Sequence, residues 1–208
     1  APSWAAAEAT MTTDTVKKEA AVSFELGGKQ VKLGVICKGV GMICPNMATM
    51  LMFLTTDAAI TPQMLQKAIS EDVKDSLNML SVDRDTSTND TLCILASGLA
   101  ENKLIEAEGE DFALFSRALH TLTTEMCKKL AADGEGATRL IECRVRGAKT
   151  KEDARLAAKS VVNSNLVKAM IFGADANGGR VMCALGYAGA DLDPMEVDVD
   201  VRSEAGTL

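Results

Sequence analysis

Residues 21–36 read AVSFELGGKQVKLGVI, and this stretch sets the fold class. Ala21, Ser23 and Glu25 alternate with Val22, Phe24 and Leu26, the period of two that marks a strand with one face buried. Gly27–Gly28 then supplies the positive φ angles of a tight hairpin turn. The chain therefore returns beside itself as an antiparallel hairpin, without a helical crossover. A loop rich in Gly and Pro, CKGVGMICPNMA, follows from Cys37 to Ala48, and TMLMFLTTDA at 49–58 reads as a strand buried on both faces. Pro62 after Thr61 opens a helix whose stripe is Leu65, Ile69, Val73, Leu77 and Leu80.

TLCILASG at 91–98 is again apolar. A long helix starts near Glu110 with Phe112, Phe115, Leu119, Leu122, Met126 and Leu130 on one face, and stops at Asp133–Gly134. Ile141, Cys143 and Val145 alternate with charged residues and predict a strand. Thr150 to Asp153 resembles a capping box ahead of ARLAAKSVVNS. RVMCALGYAG at 180–189 predicts another strand, as does the alternation of Met195, Val197, Val199 and Val201 with Glu196, Asp198 and Asp200. Strands and helices without strict βαβ order predict an α+β protein.

The 208 residues fit one domain, or two small ones. They carry 29 acidic against 22 basic side chains, a net charge of −7 that suits neither nucleic acid nor an anionic membrane surface. Aromatic residues are only 3%, too few for base-stacking platforms. No apolar run approaches the roughly 20 residues of a membrane span, and the first residues lack the basic region and apolar core of a secretory signal. Six cysteines stand singly and there is one histidine, so neither a metal site nor a disulfide framework is expected. Free, mostly buried thiols are the expectation.

The segment with the most unusual chemistry is KGVGMICPNMATML, Lys38 to Leu51. Its glycines, proline and asparagine force an irregular path just before an apolar strand, the kind of loop that carries sites. Thr49 stands at its end. A threonine hydroxyl is a weak nucleophile without a base, and breaking the peptide bond before it would free an α-amine of pKa about 7.7–8 to serve as one. On spacing alone, an ordinary strand-opening threonine is the stronger reading. His120 beside the long helix's stripe reads as a surface or satisfied histidine. Asp83, Asp85 and Asp90 lack the glycine and glutamate of a calcium loop and read as a solvated turn. Gly39 and Gly41 lack the third glycine of a dinucleotide loop.

KGVGMICPNMATML resembles the self-cleavage segment of the ornithine acetyltransferase family, the bifunctional glutamate N-acetyltransferases of arginine biosynthesis. ATMTTDT at 9–15, FLTTDAAI after Thr49, DTSTNDT at 85–91, GEGATRLIE at 134–142 and NSNLVKAMIFGADANGGRVMCALGYAG at 163–189 match in the family's order. The resemblance implies two β-sheets packed between helical layers (αββα), a fold like that of N-terminal nucleophile enzymes. It implies self-cleavage between Ala48 and Thr49, with residues 1–48 ending a first subunit and 49–208 forming most of a second. The new N-terminal Thr49 would take acetyl from N-acetylornithine and pass it to glutamate. Thr12, Lys38 and Glu135 match substrate-contacting positions: a lysine suits a carboxylate, a glutamate suits an ornithine ammonium, and a threonine hydroxyl donates or accepts.

The resemblance also implies no metal or organic cofactor, with acetyl-CoA as an alternative donor in bifunctional members. It implies an oligomer of two-piece units in the cytoplasm, or the mitochondrial matrix in a eukaryote. Departures are clear. The family is about twice as long, and its upstream Thr–Gly oxyanion pair and C-terminal binding segment have no counterpart here. Loss of an oxyanion donor typically lowers rate by about 10²–10³, so this stretch alone is expected to be weak or silent. A water-accepting aminopeptidase or amidase of related architecture is the rival enzyme. In ADANGGR, Ala176 and Gly178 replace the family's proline and tryptophan.

Overall fold

Gly27 and Gly28 adopt φ of 54° and 78°, and the hairpin they close is longer than its sequence signal, joining β1 (Lys18–Leu26) to β2 (Lys29–Lys38). The computed structural model describes residues 3–44, 50–86, 88–203 and 206–207. Two compact units divide at Gly136 and Ala137.

In the first unit a short helix, α1 (Ser3–Ala9), precedes the hairpin. β3 (Leu51–Thr56) pairs antiparallel with β2, and β4 (Thr91–Ala96) lies parallel to β3, giving the order β1-β2-β3-β4. The parallel crossover passes through α2 (Pro62–Asp72), whose N-cap Thr61 hydroxyl accepts from the Met64 N–H. α3 (Glu110–Ala132) lies across the sheet with every predicted stripe residue buried. Val31, Leu33, Val35, Met52 and Leu54 from the sheet meet Phe115, Leu119, Met126 and Leu130 from α3 in one core. The rings of Phe24 and Phe115 meet edge to face at 6.3 Å.

The mixed α+β architecture is as expected, and the particulars differ in five places. β3 is not buried on both faces: Met52, Leu54 and Thr56 point inward, while Phe53 and Thr55 lie on an outer face that the described residues of this unit leave open. α2 ends at Asp72, and Leu77 follows in a 3₁₀ turn. Ser76 Oγ donates to the Asp72 carbonyl at 2.9 Å and so competes with the helical ladder, although Leu77 and Leu80 still reach the core.

The other three lie in the second unit. It is built from α4 (Lys151–Asn163), α5 (Asn165–Phe172), α6 (Gly178–Gly186) and a two-residue ribbon, β5 (Arg202–Ser203) with β6 (Gly206–Thr207). Thr150 caps α4 as the motif predicts. RVMCALGYAG is not a strand but mostly α6, whose Ala184 and Leu185 pack with Ala157, Val161, Val167 and Met170. Residues 141–145 keep their alternation of exposure yet join no ladder among the described residues. Residues 195–201 begin in a 3₁₀ turn, with Met195 exposed, and then join no ladder among the described residues. Alternation alone does not make a strand where no partner edge is at hand.

Phe115 is fully buried at the sheet–helix junction. Phe115→Ala should lower unfolding free energy by about 3–5 kcal/mol, read as a lower urea midpoint with an unchanged slope.

Candidate functional site

The register of β2 on β3 pairs Lys38 with Leu51, so residues 39–50 leave and re-enter the sheet at one place. Three other segments gather around that loop. The first is MTTDT at 11–15, just ahead of β1. Its Asp14 is buried and accepts from the backbone N–H of Gly39 at 2.8 Å through Oδ1, and from that of Thr12 at 3.2 Å through Oδ2. Lys38 is half-buried, and its Nζ donates to the Thr12 hydroxyl at 2.9 Å.

The second is the turn after α3. Glu135 donates its backbone N–H to the Val40 carbonyl at 2.7 Å, and its side chain lies against Gly41. A Cβ on Gly41 would come within 2.6 Å of the Glu135 carboxylate oxygen, so that glycine makes room for the acid. The third is the acidic turn before β4. Asp83 accepts from the N–H groups of Met42 at 2.6 Å and Ile43 at 3.0 Å, holding Met42 in the left-handed region at φ 55°. Asp90 accepts from the Met50 N–H.

One buried ammonium joins the first two segments. Lys18 Nζ is 2.7 Å from Asp14 Oδ1 and 2.5 Å from Asp133 Oδ2. Asp133 also receives the backbone N–H and the hydroxyl of Thr15. Burial opposes ionisation of both acids, but their hydrogen bonds prevail: Gly39, Lys18 and Thr12 hold Asp14 below the usual carboxylate value, and Lys18 and Thr15 do so for Asp133. Asp90 goes the other way. Burial pushes its carboxyl up against the opposing Met50 N–H, and its Oδ2 is buried without a partner among the described residues. Burial pushes the Cys37 thiol up to about 12, an inert core thiol.

Thr12, Lys38 and Glu135 are thus brought together around residues 38–41, while Ala48 and Thr49 lie outside the described residues. His120 is satisfied, its Nδ1 lying 2.8 Å from Asp72. Asp83 lies on an exposed turn, as expected, and also holds backbone N–H groups of the loop, whereas Asp90 departs from the solvated-turn reading, being half-buried on the Met50 N–H. Sequence reasoning missed Asp14, Lys18 and Asp133. The signal for Lys18 was present, since it shares the inward parity of Ala20, Val22, Phe24 and Leu26. No group of three or more metal-ligating side chains occurs among the described residues, and no helix there is long and apolar enough to cross a membrane.

The ArgJ family profile matches residues 2–206. The chain is 57% identical over 194 residues to the arginine biosynthesis bifunctional protein ArgJ 1 of Clostridium acetobutylicum, covering 93% of this chain and 48% of that protein. It is 48% identical over 192 residues to the arginine biosynthesis bifunctional protein ArgJ of Bacillus subtilis, covering 92% of this chain and 47% of that one. A crystal structure of the arginine biosynthesis bifunctional protein argJ from Bacillus halodurans superposes with TM-score 0.62 at 45% identity, over 67% of this chain and 65% of that one. The chain spans about half the length of the curated relatives it matches.

The depressed acids fix a pH dependence. Asp14 and Asp133 release protons more readily folded than unfolded, so their contribution to stability is present above about pH 4 and is lost as pH falls through their lowered folded values. Asp90, shifted upward, acts in the opposite sense. Between about pH 4 and 2 the melting temperature of the wild type should fall more steeply than that of Asp133→Asn, whose acid limb lacks one of the two groups.

Proposed function

Since the chain belongs to the ArgJ family, we propose that it breaks its own backbone between Ala48 and Thr49 and uses Thr49 to carry acetyl from N-acetylornithine to glutamate. The observation that carries this reading is the gathering of Thr12, Lys38 and Glu135 around the loop that leads to Thr49. Lys38 offers a point charge to the amino acid carboxylate, and Glu135 offers the opposite charge to the side-chain ammonium. All three side chains are reachable by a small solute, since Glu135 and Thr12 are exposed and Lys38 is half-buried.

Asp83 holds the loop at Met42 and Ile43, and Asp90 holds it at Met50. Fixing the chain on both sides of residues 45–49 favours attack of a hydroxyl on the neighbouring peptide carbonyl, because a held geometry replaces a search. That attack moves the Ala48 acyl group from the Thr49 nitrogen to its Oγ, and water then hydrolyses the ester, leaving a carboxylate on Ala48 and a free amine and hydroxyl on Thr49. The α-amine then takes the hydroxyl proton as Thr49 Oγ attacks the acetyl carbonyl. The C–N bond to ornithine breaks, that nitrogen takes a proton, and an acetyl ester remains on Thr49. Attack by the glutamate amine on the ester returns the hydroxyl and yields N-acetylglutamate. Acetyl-CoA is a second donor in this scheme. The two pieces act together as one unit, and such units assemble further in the cytoplasm or, in a eukaryote, the mitochondrial matrix.

Mass spectrometry of the wild-type chain should show two species, residues 1–48 and 49–208, while Thr49→Ala gives one. Cleavage that survives Thr49→Ala, or a wild type that stays whole, overturns the scheme.

Glu135→Gln removes the charge and keeps the shape. Titration calorimetry should show N-acetylornithine binding weakened about tenfold or more, as for loss of a charged hydrogen bond, with glutamate binding less affected. Equal losses would refute the assignment of Glu135 to the ammonium.

A further inference from the structure

We propose that Lys18 is a positioning residue, its buried ammonium setting the separation between the Thr12–Lys38 side of the site and the Glu135 side. The inference rests on the functional reading above for what the site binds, and on geometry alone for the clamp.

Lys18 comes from the first residue of β1, with a side chain that is 0% exposed. An inward lysine at a strand end is unusual, because an ammonium loses its hydration on burial unless carboxylates and hydrogen bonds replace it. Here two carboxylates do so, and each is tied to a different wall. Asp14 sits four residues back and holds Thr12 and Gly39 by their N–H groups, and the Thr12 hydroxyl in turn receives Lys38 Nζ. Asp133 sits 115 residues on, just past the last turn of α3, two residues before Glu135. Thr15 donates both its N–H and its hydroxyl to Asp133, closing the arrangement. Nothing in the proposed chemistry requires Lys18 to touch substrate. Its position fixes how far a carboxylate-binding lysine stands from an ammonium-binding glutamate, and so which length of diamino acid fits.

The test is Lys18→Met, which keeps the stem and deletes the charge, read in two ways. The first is independent of turnover. Amide exchange should accelerate at least about tenfold at Gly39, Thr15 and Glu135 together, while the amides of α3 keep their protection. Unchanged exchange at Gly39 and Glu135 overturns the clamp. The second is selectivity: the ratio of kcat/KM for N-acetylornithine over its one-carbon-longer homologue N-acetyllysine should fall about fivefold or more. Equal losses on both donors mean a merely structural lysine and also overturn the proposal. If Lys18→Met does not fold, Asp14→Asn keeps an acceptor for Gly39 and removes that acid's charge. It should move the exchange at Gly39 and the selectivity ratio in the same sense, and no movement counts against the clamp. Where the wild type transfers from neither donor, the exchange experiment alone decides the clamp.

Discussion

The antiparallel ladder between β2 and β3 is the constraint on which everything near the site depends. Because Lys38 faces Leu51 in that ladder, the twelve residues between them must start and finish together. The strands are held by core packing as well as by hydrogen bonds: Val35, Cys37, Met52 and Leu54 all enter one cluster with α3. A break at residue 48 would fall between two strands of one sheet. The piece carrying β1 and β2 would stay bound to the piece carrying β3, β4 and α3 through that ladder and that core, so the covalent link is dispensable once the fold has formed.

How much of this could be read from residues alone depends on what kind of signal each element carries. The hairpin and α3 were legible, since two glycines at a turn and a 3.6-residue stripe over 23 residues leave little competition. RVMCALGYAG was not, because an apolar run that short reads the same whether it becomes a strand or a buried helix, and packing against α4 and α5 made it a helix. The alternation at 141–145 and 195–201 was real but insufficient. A strand needs a partner edge, and the sequence of one segment does not contain it.

The candidate site was legible where side chains do the work and illegible where backbone does. Lys38, Thr12 and Glu135 stand in motifs that the resemblance picks out, and the structure gathers them. Asp83 and Asp90 looked like solvated acids because their partners are the N–H groups of Met42, Ile43 and Met50, which have no letter in a sequence. An acidic side chain that accepts from backbone several tens of residues away is indistinguishable, on paper, from one that faces water.

Lys18 stands at the other extreme, for its parity announces it and only its partners are hidden. A buried ion pair is weak evidence of stabilisation, because desolvation consumes most of the Coulombic gain, and an apolar trio of the same volume would fill the space as well. What an apolar trio would not do is hold Gly39 and Thr15 by their N–H groups or tie a strand end to the turn after a distant helix. Hydrogen bonds have direction and dispersion contacts do not, so the charged cluster admits one register where an oily one admits several. On the proposed reading, a site that meets a carboxylate at one end and an ammonium at the other needs that single register more than it needs extra stability.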